Sequence, residues 1–400
     1  MRSMPPLKTL LLPLALALAA CGGGASQPPA SAPASSPAPA SAAVSAKPVA
    51  SGSAAGSAKP AASASAASAS AKPAASGGAA TSGKPAASAS AAPSIAPAKP
   101  GQILVAYSEI VTSNLPMWAA KEGAIFQKHG LDVDVRLIES SLSIGALLSG
   151  QVQLAGVGGS ETLAAAVEGG DLRILATTTP VYPYKLEVAK DIQTAADLKG
   201  KKIAISRIGS SSDVATRAGL KKLGLVPDKD VNIVQVGSLQ ARTSAMISGA
   251  VQGSMANPPD TLTLEDQGFH ALVDLASLDL PASNNGIVVQ GAWLSAHKDE
   301  AQKYVDADIE AIARVKKDEA FALTVMKKYL KSDDTRLMQA AYDYWVGKTM
   351  PALPYPKPEQ FTDSVAVVAE KNPKASSFDL NKLLDPSFVK SAADRGVDKA

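Results

Sequence analysis

Two periods alternate along the chain beyond residue 100. Short apolar runs read as strands, and longer stretches with apolar positions three or four apart read as helices. Ile103 to Tyr107 is a buried-strand run, after which Ser113 or Asn114 caps a helix with Pro116 in its first turn and Gly130 as its stop, near His129. Val133, Val135 and Leu137 alternate as a strand, and Ile144, Leu147 and Leu148 mark a short helix stopped by Gly150. Val152 to Val157 predicts a strand, Ser160 leads a helix that ends at Gly169 and Gly170, and Leu172 to Ala176 predicts another strand. Strand–helix–strand succession implies parallel sheets with right-handed crossovers.

The pattern restarts near residue 190. Thr194 to Asp197 is a capping box before a very short helix, Lys202 to Ser206 a strand, and Ser210 to Asp213 a second capping box opening a helix to Leu223. Val231 to Val236 is a strand, Ser238 caps a helix stopped by Gly249, and Val251 to Met255 is a strand ending in Asn257-Pro258-Pro259. A last strand near Gly286 to Gln290 precedes amphipathic helices marked by Val305/Ile309/Ile312, Phe321/Val325/Tyr329 and Leu337/Ala341/Tyr344. The pattern amounts to two α/β units and a helical C-terminal region.

Composition separates this part from the first hundred residues, which hold no aromatic and no acidic side chain; the first carboxylate is Glu109. Arg2 and Lys8 form a positive start, Leu10 to Ala20 an apolar stretch, and small residues lead into Cys21, the only cysteine. Such a stretch is shorter than the roughly 20 residues a spanning helix needs, so it reads as an export signal. Leu18-Ala19-Ala20-Cys21 resembles the bacterial lipobox, which implies removal of residues 1–20 and acylation of Cys21. With no second cysteine in the chain, a disulfide is not available to it. Residues 21–100 are then the acylated cysteine and a tether of Ala, Ser, Pro, Gly and spaced Lys, with Lys-Pro at 47, 59, 72, 84 and 99. Without large apolar side chains this stretch does not offset its ordering entropy, and the sequence predicts disorder there. The basic pI belongs to it: seven of the 39 Lys and Arg precede residue 101, leaving 32 against 36 Asp and Glu, a net −4. That balance argues against a nucleic-acid surface.

The segment Met117 to Val135, reading MWAAKEGAIFQKHGLDVDV, resembles the opening of the nitrate/sulfonate/taurine-type and thiamine-precursor-type solute-binding lipoproteins of ABC importers. Further pieces follow in that family's order: Leu147 to Gly150, Ala196 to Ile203, Ile208 to Asp213, Ser248 to Val251 and Asp385 to Val389. The resemblance implies an α/β type II periplasmic-binding-protein fold. Lobe 1 is then about 101–187 plus 287–400, and lobe 2 about 188–286. A two-strand hinge is expected near Tyr184 to Ala189 and Gly286 to Gln290, with the helical C-terminal region on lobe 1. It implies a monomer anchored by lipid at the cell envelope, facing the periplasm or exterior. Its ligand is a small solute, its partner a membrane permease with a cytoplasmic ATPase. A receptor signalling to a membrane sensor and an enzyme on the same fold are the alternatives.

Ligands of open parallel sheets bind beyond the carboxyl ends of strands. The loops there supply Tyr107, Ser108, Thr112, Ser113, Asn114, Ser140, Ser141, Gly159, Ser160, Thr178 and Thr179 from the first unit. The second supplies Ser210, Ser211, Ser212, Gly237, Ser238, Asn257 and Pro258. Helix starts rich in hydroxyls and free amides suit a small oxyanion, sulfonate- or nitrate-like, or a pyrimidine-like ring; each Ser or Thr is also a good cap for its own helix. Arg207 and Arg242 are candidates to add charge, and Tyr107, Trp118 and Tyr182 to line an aromatic wall. Catalysis, a cofactor and a metal are not expected. His129, His270 and His297 are isolated, Ser210 to Ser212 lack a Gly-x-Ser-x-Gly elbow, and Gly156 to Gly159 is followed by Glu161 where a dinucleotide fingerprint needs glycine.

Overall fold

A computed structural model of the chain describes residues 95–399, the side chains of Ser140 and Ser141 excepted. Cys21, the leader and nearly all of the expected tether lie outside the described residues.

The first unit holds β1 (Ile103–Tyr107), α1 (Leu115–Glu122), α2 (Ile125–Lys128), β2 (Val133–Leu137), α3 (Ser140–Leu148), β3 (Leu154–Val157), α4 (Gly159–Val167) and β4 (Leu172–Val181). The second holds β5 (Lys185–Val188), β6 (Lys202–Ile205), α5 (Ser211–Lys222), β7 (Asn232–Gln235), α6 (Leu239–Ile247), β8 (Gly253–Ala256), α7 (Asp260–Asp266) and β9 (His270–Asp274). The chain then returns through β10 (Pro281–Gln290) to α8 (Gly291–Ala296), α9 (Lys298–Lys317), α10 (Glu319–Leu330), α11 (Thr335–Tyr342), α12 (Thr362–Ala369) and α13 (Ser387–Asp394).

Two five-stranded sheets result, ordered β2-β1-β3-β10-β4 and β7-β6-β8-β5-β9. Each has the same plan. Three parallel strands are followed by one antiparallel strand, β10 in the first sheet and β5 in the second, with β4 or β9 at the edge. The chain passes between sheets twice, over residues 182–184 and again after β9. The segment expected to cross at 184–189 is thus mostly β5 of the second sheet, and 286–290 is the end of β10 in the first.

Sequence explains why β1 is apolar throughout. Ile103, Val105 and Tyr107 pack into one core cluster, with α1 and α9, while Leu104 and Ala106 pack into the opposite one, with α3 and α4. A strand covered on both faces has no polar side to show. In α9 the predicted stripe of Val305, Ile309 and Ile312 is fully buried in the first of these clusters. Among the described residues no helix is long and apolar enough to cross a membrane.

The helix expected to run from about residue 115 to His129 breaks at Gly123 and Ala124. Ala124 has φ 53°, in the left-handed region, and a Cβ on Gly123 would lie 3.0 Å from the Ala119 carbonyl and 3.2 Å from the Phe321 ring of α10. The left-handed Ala124 separates α1 from α2, and Gly123 there lies close beside the Phe321 ring. Ser160 is not a cap; Gly158, with extended φ/ψ, precedes α4 and Ser160 lies inside its first turn. The last strand begins five residues before its expected start, at Pro281, and its early register is irregular around Asn285. α7 and β9 are additions to the predicted series.

Candidate functional site

The strands β1, β3, β6, β7 and β8 point their carboxyl ends at a cavity of ≈160 Å³ between the two sheets. From the first sheet's side come the loop after β1 (Ser108, Glu109, Val111, Ser113, Asn114), Glu139 before α3, Gly158 and Glu161 at the start of α4, and Asn284 and Asn285 of β10. From the second come Ser206, Arg207 and Ser210 to Ser212 around the start of α5, Gly237 and Ser238 before α6, and Asn257 after β8. Tyr184, on the first connection between the sheets, and Trp345, in the turn after α11, complete the wall.

Local chemistry builds these loops. After β1 a single 3-10 turn, Thr112–Asn114, directs Asn114 so that its Nδ2 donates to the Glu109 carbonyl at 2.9 Å. Its Oδ1 accepts from Nδ2 of Asn285 at 3.3 Å, which ties the β1 loop to β10. Trp345 donates its Nε1–H to the Pro258 carbonyl at 3.0 Å and is otherwise fully buried, so its ring position is fixed.

At the start of α5, Gly209 takes φ +83° and its N–H donates to Oδ2 of Asp213 at 2.7 Å, while Ser210 Oγ accepts from the Asp213 N–H at 3.3 Å. This is the expected capping box, displaced by one residue on the backbone side. The hydroxyls of Ser206, Ser210 and Ser212 form a triangle with edges of 2.8, 3.0 and 3.0 Å. Ser211 projects differently. Its Oγ donates to the Asn284 carbonyl at 3.2 Å and lies 3.4 Å from Oε2 of Glu161, so it bridges the two sheets.

Glu161 shapes the opposite wall. Its Oε2 accepts from Ser160 Oγ at 3.0 Å, and its Oε1 lies 3.4 Å from the Arg207 guanidinium of the other sheet. The carboxylate folds over Gly158 so closely that a Cβ there would stand 2.2 Å from both Glu161 Oε2 and Ser211 Oγ. A side chain at 158 would therefore have to push Glu161 or Ser211 aside. A second, looser pair crosses between sheets: Arg242 Nη1 lies 3.9 Å from Glu109 Oε1 and donates to the Gly237 carbonyl at 2.8 Å. Burial pushes the Glu109 carboxyl above its ordinary range; Arg242 draws it down, and the neighbouring Glu161 and Asp260 charges push it up further. Burial is also the main reason that the Tyr184 phenol is held well above its usual value.

Of the residues expected at the site, Ser108, Ser113, Asn114, Ser210, Ser211 and Asn257 stand on the cavity wall, as does Arg207. Others stand behind it. Tyr107 meets Trp118 edge-on at 5.7 Å, and Trp118 stacks on Tyr329 at 4.6 Å, so these rings belong to the core. Thr112 is fully buried, Ser160 is engaged by Glu161, and Tyr182 donates to Asp363 Oδ2 at 2.9 Å. Thr178 donates to the Asn285 carbonyl at 3.3 Å and faces a separate water-sized cavity of ≈10 Å³. The Ser141 side chain lies outside the described residues, though its backbone is in α3. Sequence reasoning does not single out Glu109, Glu139, Tyr184, Asn284, Asn285 or Trp345. For Glu109 and Glu139 a signal exists: each is an acid two residues beyond a predicted strand end. Among the described residues no group of three or more His, Cys, Asp or Glu is placed to hold a metal ion.

Two lobes with this strand order, enclosing a cavity at their strand ends, define a type II periplasmic-binding-protein fold. The model of the NMT1/THI5-like family matches residues 112–319, more than half of the chain, and the chain belongs to that family. Among solved structures it is similar to a protein of Bordetella bronchiseptica RB50, at 22% identity and a TM-score of 0.63 over 74% of this chain and 98% of that one. The alkanesulfonate-binding protein of Xanthomonas axonopodis pv. citri bound to MOPS matches at 20% identity and a TM-score of 0.57, again over 74% and 98%. The periplasmic nitrate-binding protein of Synechocystis PCC 6803 matches at 15% identity and 0.57 over 74% and 89%. At such identities these likenesses speak for the fold. By sequence, a binding protein of Brucella abortus is 31% identical over 119 residues, 29% of this chain and 36% of its own length. The match thus spans about a third of that relative.

Proposed function

We propose that this chain is the extracytoplasmic solute receptor of an ABC importer, capturing one small molecule between its lobes and presenting it to a permease. The observation that carries this is the cavity itself: its wall is assembled from loops of both lobes at the strand ends, where ligands of such sheets bind. A volume of ≈160 Å³ suits a small solute, below the range of drug-sized pockets. The division into lobes at about 187 and 287, the lipid anchor at Cys21 and a monomeric state belong to the same reading. Catalysis is not part of that reading.

Protein isolated from its native host, denatured and analysed by mass spectrometry should release one small molecule in near-stoichiometric amount, and adding it back should raise the melting temperature. Recovery of chemically altered product during that incubation would sink the receptor reading in favour of an enzyme. For the anchor, Cys21→Ser should move the protein from washed membranes to the soluble fraction, and continued membrane association after high-salt washing would refute acylation there.

A further inference from the structure

The charge of the solute is written in the cavity wall, on the reading that the cavity is a solute site at all. Helix starts such as those of α4 and α5 ordinarily seat an oxyanion, because their first N–H groups are unpaired and the helix dipole is positive there. Here a carboxylate of the chain itself already stands at each. Glu161 folds over Gly158 at the start of α4 with the Ser160 and Ser211 hydroxyls on it. At the start of α5, Asp213 takes the Gly209 N–H.

The remaining charge points the same way. Among the described wall residues are the carboxylates of Glu109, Glu139 and Glu161 against the single guanidinium of Arg207, which Glu161 already faces at 3.4 Å. Arg242 lies behind the wall with 2% of its side chain exposed, donating to Gly237 and facing Glu109. An oxyanion entering this space would displace carboxylates from both Arg partners. A cation would share Glu109 and Glu161 with the Arg residues that face them, and Glu139 gives the wall a third carboxylate. Tyr184 and Trp345 add aromatic surface to the same wall, and ring systems attract cations within about 6 Å.

We infer that the cavity takes a solute bearing a cationic nitrogen group, an amine, amidine or guanidine, seated against Glu109 and Glu161 with its body along Tyr184 and Trp345. Burial, with Glu161 repelling it, holds the Glu109 carboxyl above its ordinary range, and a bound cation counters that shift by favouring the ionised form.

The test uses the full chain and three panels of similarly small solutes sorted by charge, read by thermal shift and calorimetry. A matched trio on one ring, benzamidine, benzamide and benzenesulfonate, isolates the charge. Stabilising hits should come from the cationic panel, and benzamidine should bind at least tenfold more tightly than benzenesulfonate. Glu109→Gln should weaken benzamidine about tenfold or more; should that variant fold poorly, Glu161→Gln serves in its place. Hits confined to sulfonates, nitrate or carboxylates, or tighter benzamidine binding in a folded Gln variant, would overturn the cationic assignment while leaving the receptor intact. No hit in any panel would overturn the assignment together with the receptor reading.

Discussion

At the scale of single residues, the least expected features are two buried carboxyl groups that do not line the main cavity. Glu187, in β5, is fully buried and neither of its side-chain oxygens has a hydrogen-bond partner among the described residues; burial pushes it up to about 7. Asp308, in α9, is likewise buried with an unpartnered Oδ2, and burial pushes it up to about 7 as well. Both groups have folded values raised above those of the unfolded chain, 4.5 and 3.8. The folded protein therefore holds protons that the unfolded chain releases, and their stability contribution is complete below about pH 4 and lost as pH rises through 7. Each such ionisation costs on the order of 3 kcal/mol once complete. Glu187→Gln keeps the shape and removes the titration, so its melting temperature should exceed the parent's at pH 8 by more than at pH 5. An equal shift at both pH values would mean that Glu187 is ionised in the folded state throughout. Neither residue is marked in the sequence. Glu187 sits among strand residues, and only pairing between β8 and β9 reveals that it is covered.

At the scale of elements, legibility follows locality. β1, β2 and the caps at Ser210 and Ser238 are readable because a few neighbouring residues determine them. The break after α1 is not, since it turns on Ala124 adopting a left-handed φ that alanine rarely takes. The first half of β10 reads as a loop because Ser283, Asn284 and Asn285 are polar, and two of these line the cavity. Among the residues that read as a loop are those that this strand turns to the cavity. The same locality explains the site: the hydroxyls at helix starts are visible in the sequence, whereas Tyr184, Trp345 and the Glu161–Arg207 pair require the fold. The start of α5 offers a test that separates helix from cleft. Ser211 is the first helical residue, and the cap is supplied by Ser210, so the Ser211 hydroxyl is dispensable to the helix itself. Yet its Oγ faces Glu161 Oε2 and the Asn284 carbonyl, both acceptors across the cleft. Ser211→Ala, which removes only the donor to the Asn284 carbonyl, should leave the melting temperature of the free protein within a few degrees of the parent, while weakening the native solute several-fold. Unchanged solute affinity would show that the bridge between the lobes is not formed in the bound protein.

At the scale of the whole molecule, the two lobes carry opposite charge toward each other. The first presents Glu109 and Glu161, the second Arg242 and Arg207, and the pairs stand at 3.9 and 3.4 Å. Part of the attraction between lobes is therefore present before any solute arrives. The Glu161–Arg207 pair is the more accessible to salt, because Arg207 keeps 35% of its side-chain surface exposed whereas Arg242 keeps 2%. Raising ionic strength from about 0.02 M to 0.5 M shortens the screening length from roughly 20 Å to 4 Å, which weakens such half-exposed pairs most. A conformational equilibrium moves only by the differential free energy of its two states, and the pairs exist only when the lobes meet. The solute-free protein should accordingly expand with salt, seen as a rising radius of gyration in solution scattering, and its solute complex should not. Arg207→Gln should be expanded already at low salt and respond less to further addition. A solute-free radius that stays constant across the salt series, in parent and variant alike, would show that closure depends on the solute and not on these pairs.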